Sequence, residues 1–192
     1  MTDIPSVQRT VTVTVDAPAE TATNAPVPTV AATPTPTPTT STPPTALAVG
    51  PQRGAPHSFD EAKQRVDSAT TADVGSSFQS PTGNLTCTAG GADGILITCD
   101  IARGRSPAPE QAPCPAGGPS DIGRVELTST GARPVCNSDT IRQGGAATLR
   151  YGARTGLGLG QVACVSETVG MTCIDAAGRH GFFLARATFV TF

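Results

Sequence analysis

All six cysteines of the chain fall between positions 87 and 173, and residues 1–56 hold neither a cysteine nor an aromatic side chain. The material for a hydrophobic core is therefore confined to the C-terminal part. That part has no Trp to supply bulk, only 6 Phe and 1 Tyr. A domain so small and so poor in large side chains buries little apolar area and depends on covalent staples. An even cysteine count in such a domain reads as a disulfide framework. Zinc is the competing use of cysteine, and it favours close pairs such as C-x2-C that put two thiolates on one ion. No such pair occurs here, and the only histidines are His57 and His180. The spacing predicts disulfides and no metal, and no cofactor motif is present.

Local sequence narrows the pairing. Cys87 and Cys99 end two short apolar runs, 84–87 and 95–99, separated by Gly90, Gly91, Asp93 and Gly94. That is the pattern of a strand, a Gly/Asp turn and a second strand. Cys164 and Cys173 repeat it in 161–165 and 169–174 around Gly170. Cysteines facing each other across a hairpin lie within bridging distance. The expected bridges are Cys87–Cys99 and Cys164–Cys173, which leaves Cys114–Cys136. The two units also echo each other, G-N-L-T-C at 83–87 with I-T-C at 97–99 against G-Q-V-A-C at 160–164 with M-T-C at 171–173.

Disulfides persist in oxidising compartments, so the chain is expected to work outside the cytoplasm, secreted or anchored to a membrane. Its first residues, MTDIP, lack the basic and apolar regions of a secretory signal, and no apolar run is long enough to span a bilayer. The expectation is a start placed downstream of a signal or anchor. Residues 1–56 read as a disordered Pro/Thr-rich stalk. Within them, AATPTPTPTTSTPP at 31–44 favours polyproline II and acts as a semi-rigid spacer. Residues 57–75 read as a short helix and linker. S-x-x-E at Ser58 and Glu61 is a capping box, and Phe59, Ala62 and Val66 share one face. Residues 76–192 read as a disulfide-bonded β domain, a small sandwich or open barrel. Its strands are expected at 85–88, 95–101, 124–128, 147–151, 161–165, 171–174 and 181–189, between regular Gly and Pro signals.

Function is less legible. The β region carries nine Arg (103, 105, 124, 133, 142, 150, 154, 179 and 186) against eight Asp plus Glu, so no basic face for nucleic acid is concentrated in it. Arg103 and Arg105 form its nearest approach to a basic cluster and read as solvated loop charges. Ser166, Asp175 and His180 contain the residue types of a hydrolase triad, but Ser166 lacks the G-x-S-x-G setting. Asp100, Asp121, Asp139 and Asp175 are scattered acids from which an acid/base pair would have to be drawn. The run GARTGLGLG at 152–160 lacks the G-K-[ST] ending of a phosphate loop and reads as a flexible turn or bulge. Asn137, Ser138, Asp139 and Thr140 follow Cys136 and favour an Asx-type turn; with His180 they form the candidate binding surface. Phe183 and Phe189 are expected in the core, on one face of a single last strand.

Several stretches together carry a family resemblance. FQSPTGNLTC at 78–87, ITCDI at 97–101, CNSDT at 136–140, LRYG at 149–152, VACVS at 162–166, GMTC at 170–173 and GRHGF at 178–182 resemble an uncharacterised domain of exported and membrane-anchored actinobacterial proteins. The resemblance covers residues 76–192. It implies an extracytoplasmic, disulfide-bonded domain, usually placed after a membrane helix and a Pro/Thr-rich linker, and it carries over no catalytic residue. The resulting expectation is a non-enzymatic binding or interaction module on a stalk. Its partner would be an envelope component or another exported protein. The alternatives are a small secreted hydrolase and a purely structural extracellular cap.

Overall fold

The computed structural model describes residues 46–192 apart from Gln143 and Leu159. Most of the expected stalk, residues 1–45, lies outside the described residues. Two antiparallel-rich sheets pack face to face as an open sandwich, and each is built around one of the echoing hairpins. The first sheet holds β1 (Ala48–Val49), β2 (Thr70–Thr71), β10 (Ala153–Leu157), β11 (Val162–Glu167), β12 (Gly170–Asp175), β13 (His180–Ala185) and β14 (Thr188–Thr191), in the order β1-β14-β13-β12-β11-β10-β2. The second runs β6 (Ser106–Pro107), β7 (Asp121–Thr128), β5 (Ile95–Ile101), β4 (Leu85–Ala89), β3 (Ser77–Gln79), β9 (Ala147–Thr148), with β8 (Gly131–Cys136) also paired to β7. Among the described residues, no helix is long and apolar enough to cross a membrane.

Strand alternation explains the core. Successive side chains point to opposite faces of a sheet. On the first sheet Cys164, Cys173, Phe182, Leu184 and Phe189 point inward. They meet Phe78, Cys87, Ile97, Cys99 and Val125 of the second. Their neighbours Val165 and Ile174 point outward, where α1 (Phe59–Ser68) covers them with Phe59, Ala62 and Val66. Both faces of β12 are therefore covered, and all six of its residues are buried. The outer face of the second sheet is polar and self-paired. Asp100 stands opposite Arg124 and Glu126 opposite Arg133 across the ladder, and both pairs are bonded.

The three bridges are Cys87–Cys99, Cys114–Cys136 and Cys164–Cys173, and no cysteine is free. The two hairpin bridges join residues directly opposite in register. They also stack on each other at the centre of the sandwich, with Sγ of Cys99 and Sγ of Cys173 4.0 Å apart. Each sheet thus contributes one sulfur pair to the middle of the core, where bulky aromatics are few.

Three sequence expectations need correction. The run at 152–160 is not a free turn, because Ala153–Leu157 forms β10 and pairs with β11 residue for residue. The last strand is two strands. A turn at Arg186 and Ala187 breaks the parity, so Phe189 faces the core while Phe183 faces outward, buried against Ala55 and Val190. The sheet also begins before residue 76: β1 pairs with β14 from within the stretch read as stalk, and β2 lies in the linker.

The helix start is built as expected, with one shift. Ser58 Oγ accepts the Glu61 N–H at 3.2 Å, but Glu61 Oε2 reaches the N–H of His57, not of Ser58, at 2.8 Å. The His57 amide, and then Arg65, hold the Glu61 carboxyl below its ordinary value of 4.5. A depressed carboxylate stabilises above its unfolded value and loses that contribution as pH falls through the folded one. Glu61→Gln is therefore expected to destabilise at neutral pH and to become silent in acid. Ser58→Ala should cost about 1 kcal/mol at both. Urea midpoints at pH 7 and in the acid range check both.

Candidate functional site

The site begins with turns. At one end of the sandwich the β3–β4 turn, the chain just after β5, and the β11–β12 and β13–β14 turns surround a cleft of about 370 Å³. Each wall is held by its own bonds. In the β3–β4 turn, Ser80 O accepts the Gly83 N–H at 2.8 Å and Ser80 Oγ accepts the Leu85 N–H at 3.2 Å. Gly83 takes φ +65°, the left-handed conformation a side chain would oppose. Asn84 then clamps the chain after β5, its carbonyl accepting from Ala102 N at 2.7 Å and its Oδ1 from Arg103 N at 2.9 Å. Gly104 follows at φ +89° and lies so close to the β13–β14 turn that a Cβ there would overlap the Arg186 carbonyl. That approach is what joins the two sheets at this rim. Gly104→Ala is expected to part the rim and lower stability by about 1–3 kcal/mol, read as a fall in urea midpoint with shifted amides at Arg103 and Arg186.

Three arginines line the cleft: Arg103, Arg142 and Arg186. None has a carboxylate partner among the described residues. The one acid on the wall, Glu167, is 3.6 Å from Arg65 of α1. The chain's single tyrosine, Tyr151, also lines the cleft and is 40% exposed, although every Phe of the β domain is buried or half-buried. Val169, at the tip of the β11–β12 turn, is 44% exposed. The arrangement offers strong N–H donors, a flat ring and an apolar tip around an open, uncapped space.

The residues singled out from sequence are not gathered at one place. The turn at Asn137, Ser138, Asp139 and Thr140 lies under the cleft's Arg142. Asn137 is buried, donates from Nδ2 to Asp139 O at 2.9 Å, and receives the Arg105 guanidinium on its carbonyl. Thr140 Oγ1 accepts from Arg142 N at 3.1 Å. Buried Asp100 anchors this loop, accepting from Ile141 N at 2.8 Å and from Arg124 Nε at 2.6 Å. Arg124 also meets the exposed Asp139 at 3.3 Å. The hydrogen bond that Arg124 donates to Asp100 is the main cause that raises the guanidinium above its ordinary value, and Arg124 in turn is the main cause that lowers Asp139 below its ordinary value.

His180 is elsewhere. It opens β13, whose other end, Ala185, borders the cleft five residues on, about 17 Å at about 3.4 Å per residue. It is 5% exposed, with Nδ1 3.0 Å from Gly178 O and Nε2 2.8 Å from Thr128 O, so the ring tacks the first sheet to the end of β7. The candidate surface is therefore a turn and a separate buried tack. The residues weighed as a triad do not meet. Asp175 Oδ2 is 3.5 Å from His180 Nε2, but Asp175 pairs with Val162, four positions along β11 from Ser166, about 14 Å away. The Sγ atoms of Cys87, Cys99 and Cys173 cluster within 4.8 Å, yet all are spent in disulfides and offer no thiolate to a metal. A smaller apolar groove of about 210 Å³ between the β4–β5 and β10–β11 turns marks the opposite end of the sandwich.

Sequence reasoning missed the arginine cleft. Arg103 and Arg105 were legible as neighbours, but the fold separates them: Arg105 turns back to Asn137 and Arg103 joins the cleft. Arg142, Tyr151 and Arg186 arrive from distant segments, and no local pattern marks them as one group. Comparison of the chain with protein-family models, with curated proteins and with solved structures finds no match to any of the three.

Proposed function

We propose that this protein is a non-enzymatic binding module of an oxidising, extracytoplasmic compartment, and that it holds its ligand in the turn-lined cleft. The observation that carries the reading is the cleft itself. Residues of the β3–β4, β11–β12 and β13–β14 turns and of the chain after β5 line one open space of about 370 Å³, a size that suits small-molecule sites. The turns stand on a sandwich braced by two central disulfides, so the site is preorganised and its ligand need not order it. Three disulfides and no free cysteine support an oxidising setting. The resemblance to the actinobacterial exported domain points the same way, and makes an envelope component or an exported protein the natural partner.

The test is capture of envelope and secreted material from the source organism by the oxidised full chain and by a Val169→Trp variant that fills the cleft mouth. A saturable partner retained by the parent and lost by the variant is the expected outcome. A partner held equally by both would place binding away from the cleft. No partner for a folded chain would transfer the weight to a structural cap.

A further inference from the structure

We infer that the cleft takes an acidic saccharide, a sugar carrying carboxylate or phosphate groups. The inference rests on the cleft being the binding site and names what fits it. A guanidinium has five N–H donors and no acceptor, and its fork matches the two oxygens of a carboxylate or phosphate. Three arginines line this cleft without a carboxylate partner among the described residues, and the one wall acid, Glu167, lies beside Arg65. Three cations against one engaged acid leave the cleft electropositive, in a β domain whose charges otherwise nearly cancel. Clefts walled by one sign of charge concentrate ligands of the other.

The remaining lining argues for a sugar as the carrier of that charge. Tyr151 presents a half-exposed ring with a hydroxyl at its edge, an apolar body with a polar tip. Asn84 spends its Oδ1 on Arg103 N, which leaves its NH₂ as a donor toward the cleft. Thr82 adds a hydroxyl on the same turn. A ring of C–H bonds rimmed by hydroxyls matches a flat aromatic face rimmed by donors and acceptors. The cleft's volume suits a small ligand or the end of a chain better than a helix or a strand.

Backbone amide spectra of the isotopically labelled, oxidised full chain test this with five probes: tetragalacturonate, glucose 1-phosphate, neutral maltotetraose, inorganic phosphate and pentaglutamate. Tetragalacturonate or glucose 1-phosphate should shift the amides of Gly83, Asn84, Arg103, Val169 and Arg186 saturably, and the better of the two names the acid group. Arg142→Gln, on an exposed side chain, should weaken that binding about tenfold or more with an unchanged spectrum elsewhere. Tyr151→Ala should weaken it independently, and raising the salt should weaken it further. Equal binding of maltotetraose would overturn the acidic part and leave a binding cleft. Phosphate or pentaglutamate binding as tightly as the acidic sugars would overturn the saccharide part. No response to any acidic sugar would overturn the inference as a whole, while the cleft-blocked capture experiment would still decide the broader reading.

Discussion

Full reduction of the three disulfides is expected to abolish the cooperative unfolding transition of the β domain. The bridges close chain separations of 12, 22 and 9 residues, and each restricts the unfolded chain by about 3 kcal/mol. Their sum is comparable with the whole stability of an ordinary domain, about 5–15 kcal/mol. Two of them are also core material. Cys87, Cys99, Cys164 and Cys173 are all 0% exposed, so their reduction must wait for the sandwich to open. Cys114 and Cys136 are half-buried, and their bridge is expected to reduce first. The Cys164→Ala/Cys173→Ala double variant should lose about 3 kcal/mol from the lost loop constraint and more from the emptied core. With no Trp in the chain, urea unfolding followed by circular dichroism is the suitable reading. A reduced chain that keeps the oxidised midpoint would contradict the claim that the bridges replace a large core.

Arg124→Ala carries the second large effect. Asp100 is 1% exposed and its carboxylate depends on Arg124 Nε at 2.6 Å. Removing one member of a buried pair leaves the other charge without compensation, at about 3–5 kcal/mol. The loss should spread along the chain, because Asp100 also holds the Ile141 amide and with it the loop that presents Arg142. Arg124→Ala is thus expected to lower the urea midpoint and to weaken the proposed ligand binding at the cleft together. The pH dependence has a definite sign. Arg124 keeps exposed Asp139 below its ordinary value, so that stabilisation is present above the ordinary aspartate range and fades as pH falls through the lowered value. The variant should lack this acid-side dependence. A parent-like midpoint in Arg124→Ala would mean that Asp100 is satisfied without its partner.

The fold was largely legible because its strongest signals are local. A hairpin needs a turn and two alternating runs, and both cysteine hairpins carry all of these within a short stretch. The capping box at Ser58 is similarly self-contained. Among the strands that sequence reasoning missed, β8 and β10 contain Pro134 or two glycines, Gly156 and Gly158, in or beside them. Their pairing comes from tertiary neighbours that override weak propensity. The parity error at Phe183 has the same origin, since Arg186 and Ala187 make a turn without the usual turn residues. The cleft was illegible for a different reason. Three arginines and one tyrosine scattered over 103–186 acquire meaning only when their separate loops are brought to one end of a sandwich. The Asn137–Thr140 turn was found, but as a support beneath Arg142.

The most direct measurement is a thiol count and non-reducing peptide map on the protein isolated from its own cells, with thiols blocked at lysis. The expected result is no reactive thiol and the three linked pairs Cys87–Cys99, Cys114–Cys136 and Cys164–Cys173. Six free thiols would contradict both the proposed oxidising setting and the stapled core on which the cleft is built.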